Sequence, residues 1–384
     1  LFSGILAFSD YLRAQILTGF PWNLWAYSTV WLNEIIQIVN LIGLYCFNLV
    51  VITFFTLPVI IFFKMNLTKK ILYLILISIV ILSLFIFGSY EVNKNNKKLG
   101  EVNDKVFIKI ISPNFDLKYG LTEEEIEERF KKLIRYSNPI KNKKTVFIWP
   151  EGVFSGYSYK DISIFKEMIS EKFSKKHFII FGANTLDPIS GKFFNSMLAV
   201  DNNFKIIQSY NKRKLVPFGE FLPFESFLNN FGLKKITEGH GSFLKGEKNK
   251  NLLIENLNIL PLICYEVIFT DLIQKSTKDT NMIINISEDG WFGESIGPDQ
   301  HFSKSVFRAI ENDTFFLRST NQGVSAIIDN KGNIIKQLDR NEAGNIEFEV
   351  PLIKSNKIKN DLIFFILLIT YLLIFLINKK KDAK

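Results

Sequence analysis

The chain carries its longest uncharged apolar runs near its two ends. They cover residues 41–63, 71–87 and 362–377. A transmembrane helix needs about 20 consecutive, mostly apolar residues to cross the hydrocarbon core of a bilayer. The pattern therefore predicts three membrane-spanning helices, the first two joined as a hairpin by the short basic turn between them.

Lysines beside these runs indicate how the helices are oriented. They cluster at 64–70, in the tip of the hairpin, and at 379–384, after the last run. Loops rich in Lys and Arg stay on the cytoplasmic side of a membrane, so both clusters predict that the polar middle of the chain lies on the opposite side. The lysines at 94–98 oppose this orientation, but the other two clusters outweigh them.

The first forty residues fit a simple span less well. Asp10 and Arg13 interrupt an apolar run, and the segment TGFPWNLWAY contains a glycine, a proline and two tryptophans, which favour a membrane interface. A charge at membrane depth is a functional candidate, but residues three apart on a helix can also pair, and we favour the pair. The chain opens at Leu1 within an apolar segment, which predicts a missing N-terminal portion.

From residue 106 the pattern changes to short β-branched runs that alternate with amphipathic stretches. Thr122 and Glu125 have the spacing of a capping box, and Pro298 suits the first turn of a helix ending near Asn312. Strands that alternate with helices predict an α/β core with helices on its faces. The predicted strands are VFIKIIS, TVFIWPE, HFIIFGAN, SMLAVD, FKIIQSY, NILPLICYE, NMIINIS, TFFLRSTN, VSAIID and NIEFEV.

Three parts follow from these patterns. Residues 1–92 are predicted to be transmembrane helices, truncated at the N terminus, and residues 93–358 an extracytoplasmic α/β domain. Residues 359–384 are predicted to form a last transmembrane helix and a basic cytoplasmic tail. About 250 residues are enough for one domain with a large core.

Composition narrows the class of partner. The chain is 47% hydrophobic with a formal net charge of +9, and its lysine clusters mostly flank apolar segments. Anionic lipid headgroups therefore fit the positive charge better than nucleic acid does. The two cysteines, Cys46 and Cys264, lie in contexts that give no sign of pairing, so no disulfide framework is expected.

Three predicted strands are followed by reactive side chains: Glu151, Lys212 and Cys264. A thiol is a few per cent thiolate at neutral pH, so a carboxylate that takes its proton would activate it. A lysine beside it would stabilise the thiolate and the oxyanion that forms after attack on a carbonyl. Taken singly, the cysteine fits a packing role better, and the glutamate and the lysine fit exposed surface charges better, so only their combination favours catalysis.

Longer motifs around these residues resemble a known superfamily. The segments WPEG, YNKRKLVPFGE, ICYE and SEDGWFGESIGPDQH resemble the nitrilase or carbon-nitrogen hydrolase superfamily, and TGFPW together with LVPFGEFLP resembles the bacterial apolipoprotein N-acyltransferases. The resemblance implies a nitrilase-like α-β-β-α sandwich between transmembrane helices. It implies that Glu151 is the general base, Lys212 the oxyanion-stabilising lysine and Cys264 the nucleophile. It adds Glu220, Tyr265 and Glu266 as supporting residues.

The same resemblance implies a reaction. A fatty acyl chain would pass from a phospholipid, through a thioester on Cys264, to the α-amine of the diacylglyceryl-cysteine of an apolipoprotein in the bacterial inner membrane. No cofactor is expected, and His177, His240 and His301 are too scattered for a metal site and are interpreted as polar contacts. The alternatives are a membrane-tethered amidase and a pseudoenzyme that binds lipoproteins.

The sequence departs from the family pattern at two positions. Glu288 stands where asparagine is usual, and Tyr119 where a tryptophan is common. Tyr119 is expected to keep a lipid or substrate contact, as are Trp291, Phe221 and Phe224. The segment 221–231 is interpreted as a mobile lid, with a buried core helix as the alternative.

Overall fold

The computed structural model of the protein describes residues 1–62, 66–225, 241–247, 251–274, 279–355 and 361–382. In these residues twelve strands form two sheets of six strands each. The strands are β1 Lys105–Ser112, β2 Thr145–Ile148, β3 His177–Leu186, β4 Phe193–Val200, β5 Ile206–Asn211, β6 Leu252–Ile254, β7 Leu257–Ile263, β8 Met282–Glu288, β9 Phe315–Asn321, β10 Ser325–Ile328, β11 Ile334–Leu338 and β12 Gly344–Pro351.

Both sheets have parallel centres and antiparallel edges. The first sheet has the order β12-β1-β2-β3-β4-β5, and β1, β2 and β3 are parallel. The second sheet has the order β11-β10-β9-β8-β7-β6, and β7, β8 and β9 are parallel. Ligands bind outside the carboxyl ends of strands in open α/β sheets, so these ends mark the edge where the chemistry is expected.

All ten predicted runs form strands, and two further strands were missed. β6 has three residues, and β11 is exposed along most of its length. Neither has the long apolar pattern by which a buried strand is recognised in a sequence.

The inner faces of the two sheets pack against each other. Ile108 and Ile180 of the first sheet and Ile259 and Ile284 of the second are fully buried in one cluster. Side chains alternate between the faces of a strand, so a strand that is apolar on both faces contributes to an inner and an outer layer.

Helices cover the outer faces of this sandwich. The α-helices are α1 Phe2–Gln15, α2 Asn33–Ile36, α3 Val39–Ile42, α4 Leu44–Thr56, α5 Leu67–Gly100, α6 Glu123–Ser137, α7 Tyr159–Ile162, α8 Lys166–Lys172, α9 Thr270–Gln274, α10 Gly297–Asn312 and α11 Asp361–Asp382. Short 3₁₀ helices lie at Trp25–Thr29, Leu57–Phe62, Ser163–Phe165, Cys264–Ile268 and Asp289–Phe292.

The helices α6 and α10 form the two outer layers. Phe130 of α6 packs in a cluster with Trp149 and Phe181 of the first sheet's outer side, while Phe307 of α10 packs with Phe316 of the second. The capping box that was predicted at the start of α6 is present, and Pro298 lies in the first turn of α10. The α-β-β-α arrangement of layers is therefore confirmed.

Two of the three predicted spans are helices long and apolar enough to cross a membrane. They lie in α5 and in α11, at 67–100 and 362–380, and almost all of the side chains in their apolar windows are uncovered by the rest of the chain. The helix α5 continues past the apolar part to Gly100, through the predicted domain boundary at residue 92.

The third predicted span differs from the prediction. Residues 41–63 were expected to form a single helix, but Gly43, with φ of +78°, separates α3 from α4. The α-helix then ends at Thr56 and tightens into the 3₁₀ helix that contains Pro58. Proline removes a backbone donor and a left-handed glycine ends a helix, so apolar composition alone overestimated the length. Leu49 and Ile52 of α4 are buried against α1 and α11.

The N-terminal segment packs directly against the α/β domain. Leu24, Phe47 and Val51 share a buried cluster with α10 and the second sheet. Gln37 Nε2 donates to the Lys331 carbonyl at 2.8 Å, which fixes α2 to the loop between β10 and β11. Asp10 and Arg13 form the expected pair, at 2.8 Å, and Asn48 also donates to Asp10. This packing brings the TGFPW segment to the carboxyl edge of the sheets.

Candidate active site

One cavity of about 410 Å³ lies where the carboxyl edges of both sheets meet. Glu151 follows β2 and Lys212 follows β5 of the first sheet, and Cys264 follows β7 of the second. All three line the cavity, together with Glu220. The structure thus brings together three side chains that are distant in the sequence. The first, Glu151, and the last, Cys264, are 113 positions apart.

Cys264 occupies a strained backbone position. Its φ is +48°, in the left-handed region that costs a residue with a Cβ of order 1–2 kcal/mol. The strand β7 ends at Ile263, and a 3₁₀ helix starts at Cys264 itself. This sharp turn leaves the thiol partly exposed in the cavity wall instead of in the core between the layers.

Lys212 is surrounded by carboxylates. Its Nζ lies 2.9 Å from Glu220 Oε1 and 3.6 Å from Glu151 Oε1, and the side chain is 1% exposed. Its backbone N–H donates to the Asn195 carbonyl at 2.8 Å, and its carbonyl accepts from Gly246 at 2.8 Å. The ammonium group is therefore held in place by both its main chain and its charge partners.

Asn195 joins the two carboxylates from β4. Its Nδ2 donates to Glu151 Oε1 at 2.7 Å and to Glu220 Oε1 at 2.8 Å. The second oxygen of Glu151 accepts the backbone N–H of Glu288 at 3.1 Å, and that of Glu220 accepts Val216 N–H at 2.9 Å. Every carboxylate oxygen in this group has a donor, so the orientation of Glu151 is fixed from both sheets.

The ionisation of the three residues is set by burial and by each other. Burial raises the pKa of Glu151 above its usual value, against the opposing charge of Lys212. Burial lowers the pKa of Lys212, but the carboxylates of Glu151 and Glu220 outweigh it, so that pKa is raised and the lysine stays charged. Burial also raises the pKa of the Cys264 thiol, and the charge of Glu151 adds to this. The resting thiol therefore keeps its proton, and a carboxylate with a raised pKa is suited to take it.

Glu266 holds the two sides of the site together from behind. It is fully buried, and its Oε1 accepts from Tyr210 Oη at 2.9 Å, Arg213 N at 2.7 Å and Lys214 N at 3.1 Å. Its Oε2 accepts from Ile263 N at 2.8 Å, directly before Cys264. Glu266 thus connects the backbone beside Lys212 to the backbone beside the thiol.

Tyr265 faces the N-terminal segment. Its hydroxyl donates to the Gly19 carbonyl at 3.2 Å, and its ring stacks near that of Phe20. Phe20 and Trp22 line the cavity themselves. The TGFPW segment therefore forms part of the cavity wall.

Two of the four residues predicted to contact lipid or substrate line the cavity. Tyr119 and Trp291 line the cavity, with ring centroids 6.1 Å apart, and Trp291 is 48% exposed. Phe221 and Phe224 do not line it in the part of the chain that the structure describes, and Phe224 is largely exposed. The predicted lid includes residues 226–231, which lie outside the described residues, so the lid stays a prediction.

Glu288 is a third carboxyl in the cavity wall, and it is buried. Its Oε1 accepts from Gly290 N at 2.9 Å, and its Oε2 accepts from Asn321 Nδ2 at 2.8 Å. Burial raises its pKa to about 8, and the charge of Glu151 also acts in this direction. The departure from asparagine therefore adds a group that is mostly uncharged at neutral pH.

Sequence reasoning missed Asn195 and the role of the Glu288 backbone. A single asparagine near the start of an apolar strand is part of no sequence pattern that would distinguish it from a solvent-exposed asparagine. A backbone donor leaves no trace in the sequence. His301, interpreted as a polar contact, is buried against the Cys264 carbonyl. Within the described residues no group of three or more His, Cys, Asp or Glu side chains is placed to hold a metal ion.

Comparison with known proteins gives the class of the domain. Residues 117–359 match the family model described as carbon-nitrogen hydrolase, and residues 1–57 match that of the apolipoprotein N-acyltransferase N-terminal domain. The two-sheet sandwich is therefore a carbon-nitrogen hydrolase domain. Solved structures that resemble it include a carbon-nitrogen hydrolase from Helicobacter pylori, with a TM-score of 0.48 and 12% identity, over 65% of this chain and 89% of that one. An amidase from Nesterenkonia sp. has a TM-score of 0.46 and 14% identity, over 66% and 93%.

Relatives of known name give the family. The apolipoprotein N-acyltransferase of Rickettsia bellii is 32% identical over 98% of this chain and 74% of its own length. That of Rickettsia typhi is 30% identical over 95% and 74%, and that of Rhodopseudomonas palustris 29% identical over 90% and 66%. The chain belongs to the apolipoprotein N-acyltransferase family. It spans 66% to 74% of the length of these three relatives.

Proposed function

We propose that this chain is the catalytic part of a membrane N-acyltransferase. It moves a fatty acyl chain from a phospholipid, through a thioester on Cys264, to the α-amine of the diacylglyceryl-cysteine of an apolipoprotein. The observation that carries the proposal is the single cavity in which Glu151, Lys212 and Cys264 meet beside Phe20 and Trp22 of the N-terminal segment. A thiol, a base and a cation beside an apolar wall suit acyl transfer from a lipid.

In the first half-reaction the carboxylate of Glu151 takes the proton of the Cys264 thiol. The thiolate attacks the ester carbonyl carbon, and Lys212 stabilises the tetrahedral oxyanion. The carbon–oxygen bond of the ester then breaks, and the leaving alkoxide of the lysophospholipid takes the proton from Glu151. A thioester on Cys264 remains.

In the second half-reaction the free α-amine of the lipoprotein attacks the thioester carbonyl. Glu151 takes a proton from the amine, Lys212 again stabilises the oxyanion, and the carbon–sulfur bond breaks. The proton then returns from Glu151 to the Cys264 thiolate. Two substrates visit one site in turn, which is a ping-pong mechanism.

The supporting residues act on this centre through contacts. Glu220 balances the charge of Lys212 at 2.9 Å, Glu266 ties the lysine loop to the thiol, and Tyr265 joins the thiol turn to the membrane-side wall. Tyr119 and Trp291 offer aromatic surface at the cavity, where acyl chains would lie. We keep Phe221 and Phe224 as candidate lipid contacts outside the cavity.

The membrane helices fit an inner-membrane enzyme with several spans. The apolar parts of α5 and α11 are left uncovered by the rest of the chain, which suits contact with acyl chains. In this proposal residues 93–358 lie on the periplasmic side and the lysines near 66–70 and 379–381 on the cytoplasmic side. Ser295→Cys in the domain and Thr68→Cys in the first turn of α5 are both at exposed positions. The two variants are made in a background that lacks both native cysteines, Cys46→Ala with Cys264→Ala. Labelling of the first alone, by an impermeant maleimide on spheroplasts, supports this orientation, and the reverse pattern contradicts it.

The acceptor is tested by a chase. Membranes are loaded with a phospholipid labelled in its acyl chain, and the labelled protein is then mixed with a diacylated lipopeptide whose N terminus is free or acetylated. The proposal expects transfer of label to the free amine and not to the acetylated peptide. Release to water at the same rate with either peptide would point to an amidase, and no labelled protein at all would leave the pseudoenzyme.

A further inference from the structure

A second buried polar cluster contacts the main chain of Cys264. It consists of Asp289, in the turn after β8, His301 of α10 and Arg318 of β9. All three side chains are fully buried. His301 Nδ1 lies 2.9 Å from Asp289 Oδ1, and Arg318 Nη2 lies 2.7 Å from Asp289 Oδ2. The acyl transfer proposed above assigns no step to these residues.

His301 reaches the main chain of the nucleophile. Its Nε2 lies 3.2 Å from the Cys264 carbonyl oxygen. A carbonyl only accepts, so this contact is a hydrogen bond when Nε2 carries the proton. Two forms of the ring meet that condition. In the neutral form Arg318 Nη2, at 3.0 Å, donates to Nδ1, and in the charged form Nδ1 donates to Asp289.

The backbone of Cys264 needs such a partner. A residue with φ of +48° is held there only when its surroundings determine its position. On the N-terminal side, Glu266 accepts the Ile263 N–H at 2.8 Å. On the C-terminal side, His301 contacts the Cys264 carbonyl. The strained residue is therefore clamped on both sides by buried side chains.

The other end of the cluster is anchored beside the base. Burial opposes the ionisation of Asp289, but Arg318 and His301 outweigh it, so its pKa lies well below the usual value and it is a carboxylate. Ser287 Oγ also donates to it at 2.7 Å. Asp289 follows Glu288, whose N–H donates to Glu151. His301 thus connects the turn that orients Glu151 with the turn that presents the thiol.

We propose that His301 is a positioning residue for the nucleophile, and that its Nε2–H holds the Cys264 carbonyl so that the thiol points toward Glu151 and Lys212. The inference rests on the proposed function for its catalytic consequence, but the placement of the thiol can be measured without acyl transfer. Nothing in the proposal requires His301 to touch the substrate.

The test compares two replacements that each keep one half of the ring's contacts. The amide of Gln extends about as far as Nε2, and the amide of Asn about as far as Nδ1. His301→Gln therefore keeps a donor for the Cys264 carbonyl, and His301→Asn keeps only the contact with Asp289. We expect about tenfold slower thioester formation at saturating phospholipid in the Asn variant and no more than about threefold in the Gln variant. The phospholipid concentration at half-saturation stays unchanged in both.

The same proteins are treated with iodoacetamide, because alkylation reports the placement of Cys264 without any phospholipid. The same order, Gln faster than Asn, is expected. His177 supplies matched controls, since its buried ring contacts the Ile140 and Lys143 carbonyls away from the cavity, and His177→Gln and His177→Asn are expected to react alike. Rates refer to folded protein, isolated by size exclusion. Should the Asn variant not fold, His301→Met, which has no donor, replaces it.

Equal rates in the two His301 variants, or a faster Asn variant, would overturn the inference in either assay. A wild-type protein that forms no thioester would contradict the proposed function alone. The alkylation rates would then still decide whether His301 positions the thiol.

Discussion

The two sheets contribute different things to the same cavity. The first sheet supplies charge: Glu151, Lys212 and Asn195 form one hydrogen-bonded group in which the lysine is matched by carboxylates. The second sheet supplies geometry, because Cys264 sits in a strained turn clamped by Glu266 and His301.

Two cross-ties connect these halves. Glu266, which follows β7 of the second sheet, accepts from N–H groups beside Lys212. The N–H of Glu288, at the end of β8 in the same sheet, donates to Glu151. Neither sheet by itself therefore holds all the residues of the proposed reactive centre. We therefore expect changes to the charge to slow thioester formation most, changes to the cross-ties less, and changes to the surrounding residues least.

Removing the cation from the first sheet should have the largest effect. Lys212→Met leaves the two carboxylates and the forming oxyanion without a positive partner, and we expect thioester formation to slow by about 100-fold or more. Lys214→Met is the matched control, because its ammonium group contacts Phe269 and Asp271 outside the cavity. Single-turnover labelling with an acyl-labelled phospholipid measures both. A Lys212 variant as fast as the Lys214 variant would contradict the role of charge.

Breaking the cross-tie should come next. In Glu266→Gln one acceptor oxygen becomes an NH₂ group that faces backbone N–H donors, so the loop beside Lys212 and the turn at Cys264 lose part of their connection. We expect thioester formation to fall by roughly 10- to 100-fold and the midpoint of thermal unfolding to drop. Glu294→Gln, at an exposed position, should change neither quantity. An unchanged rate in Glu266→Gln would show that the two sheets need no such tie.

The order of these effects reflects what the sequence could predict. The meeting of Glu151, Lys212 and Cys264 in one cavity was predictable because they follow apolar runs and stand in long motifs, and a strand end is where a side chain leaves the core. Glu266 was named as a supporting residue only through the resemblance, and neither its clamp nor that of His301 was predicted, because both act on backbone atoms that are brought close only by the fold. Ten apolar runs predicted an α/β core with helices on its faces, and only the family resemblance implied the α-β-β-α layers. The strands β6 and β11 were too short or too exposed to show a pattern.

Weakening the first sheet's network without removing its charge should have a smaller effect. Asn195→Leu removes the amide that donates to Glu151 and Glu220, and we expect about tenfold slower thioester formation. Asn203→Leu, at an exposed turn, is the control. The single-turnover assay measures both. A loss as large as that in Lys212→Met would mean that orientation of the carboxylates matters as much as the cation.

The pH dependence should show the smallest change. The pKa of Glu288 is raised to about 8, so this carboxyl is protonated below pH 8 and gains a negative charge above it. That charge, beside Glu151, disfavours the thiolate and the oxyanion. We expect the rate of thioester formation to decline above about pH 8 in the wild type and this decline to move to higher pH in Glu288→Gln. The measurement is the pH at which the rate declines in each pH–rate profile, independent of the maximal rate of each protein. Identical alkaline limbs would remove Glu288 from the account.

The membrane part was less predictable than the α/β domain. Apolar composition identified 71–87 and 362–377 as parts of long helices, but it joined 41–63 into one span where Gly43 and Pro58 interrupt the helix. Composition reports the environment of a segment, whereas its length as a helix depends on single residues. The packing of α4 against α1 and α11 is a tertiary contact that no local pattern reveals.

The central claim is that Cys264, and not the second cysteine, carries the acyl chain at the meeting point of the sheets. The most direct measurement is the mass of the protein, and of its proteolytic fragments, after incubation with a phospholipid, in the wild type, Cys264→Ala and Cys46→Ala. We expect one acyl group, released by neutral hydroxylamine, on the fragment with Cys264 in the wild type and in Cys46→Ala, and none in Cys264→Ala. An acyl group that persists in Cys264→Ala, or maps to another residue, would contradict it.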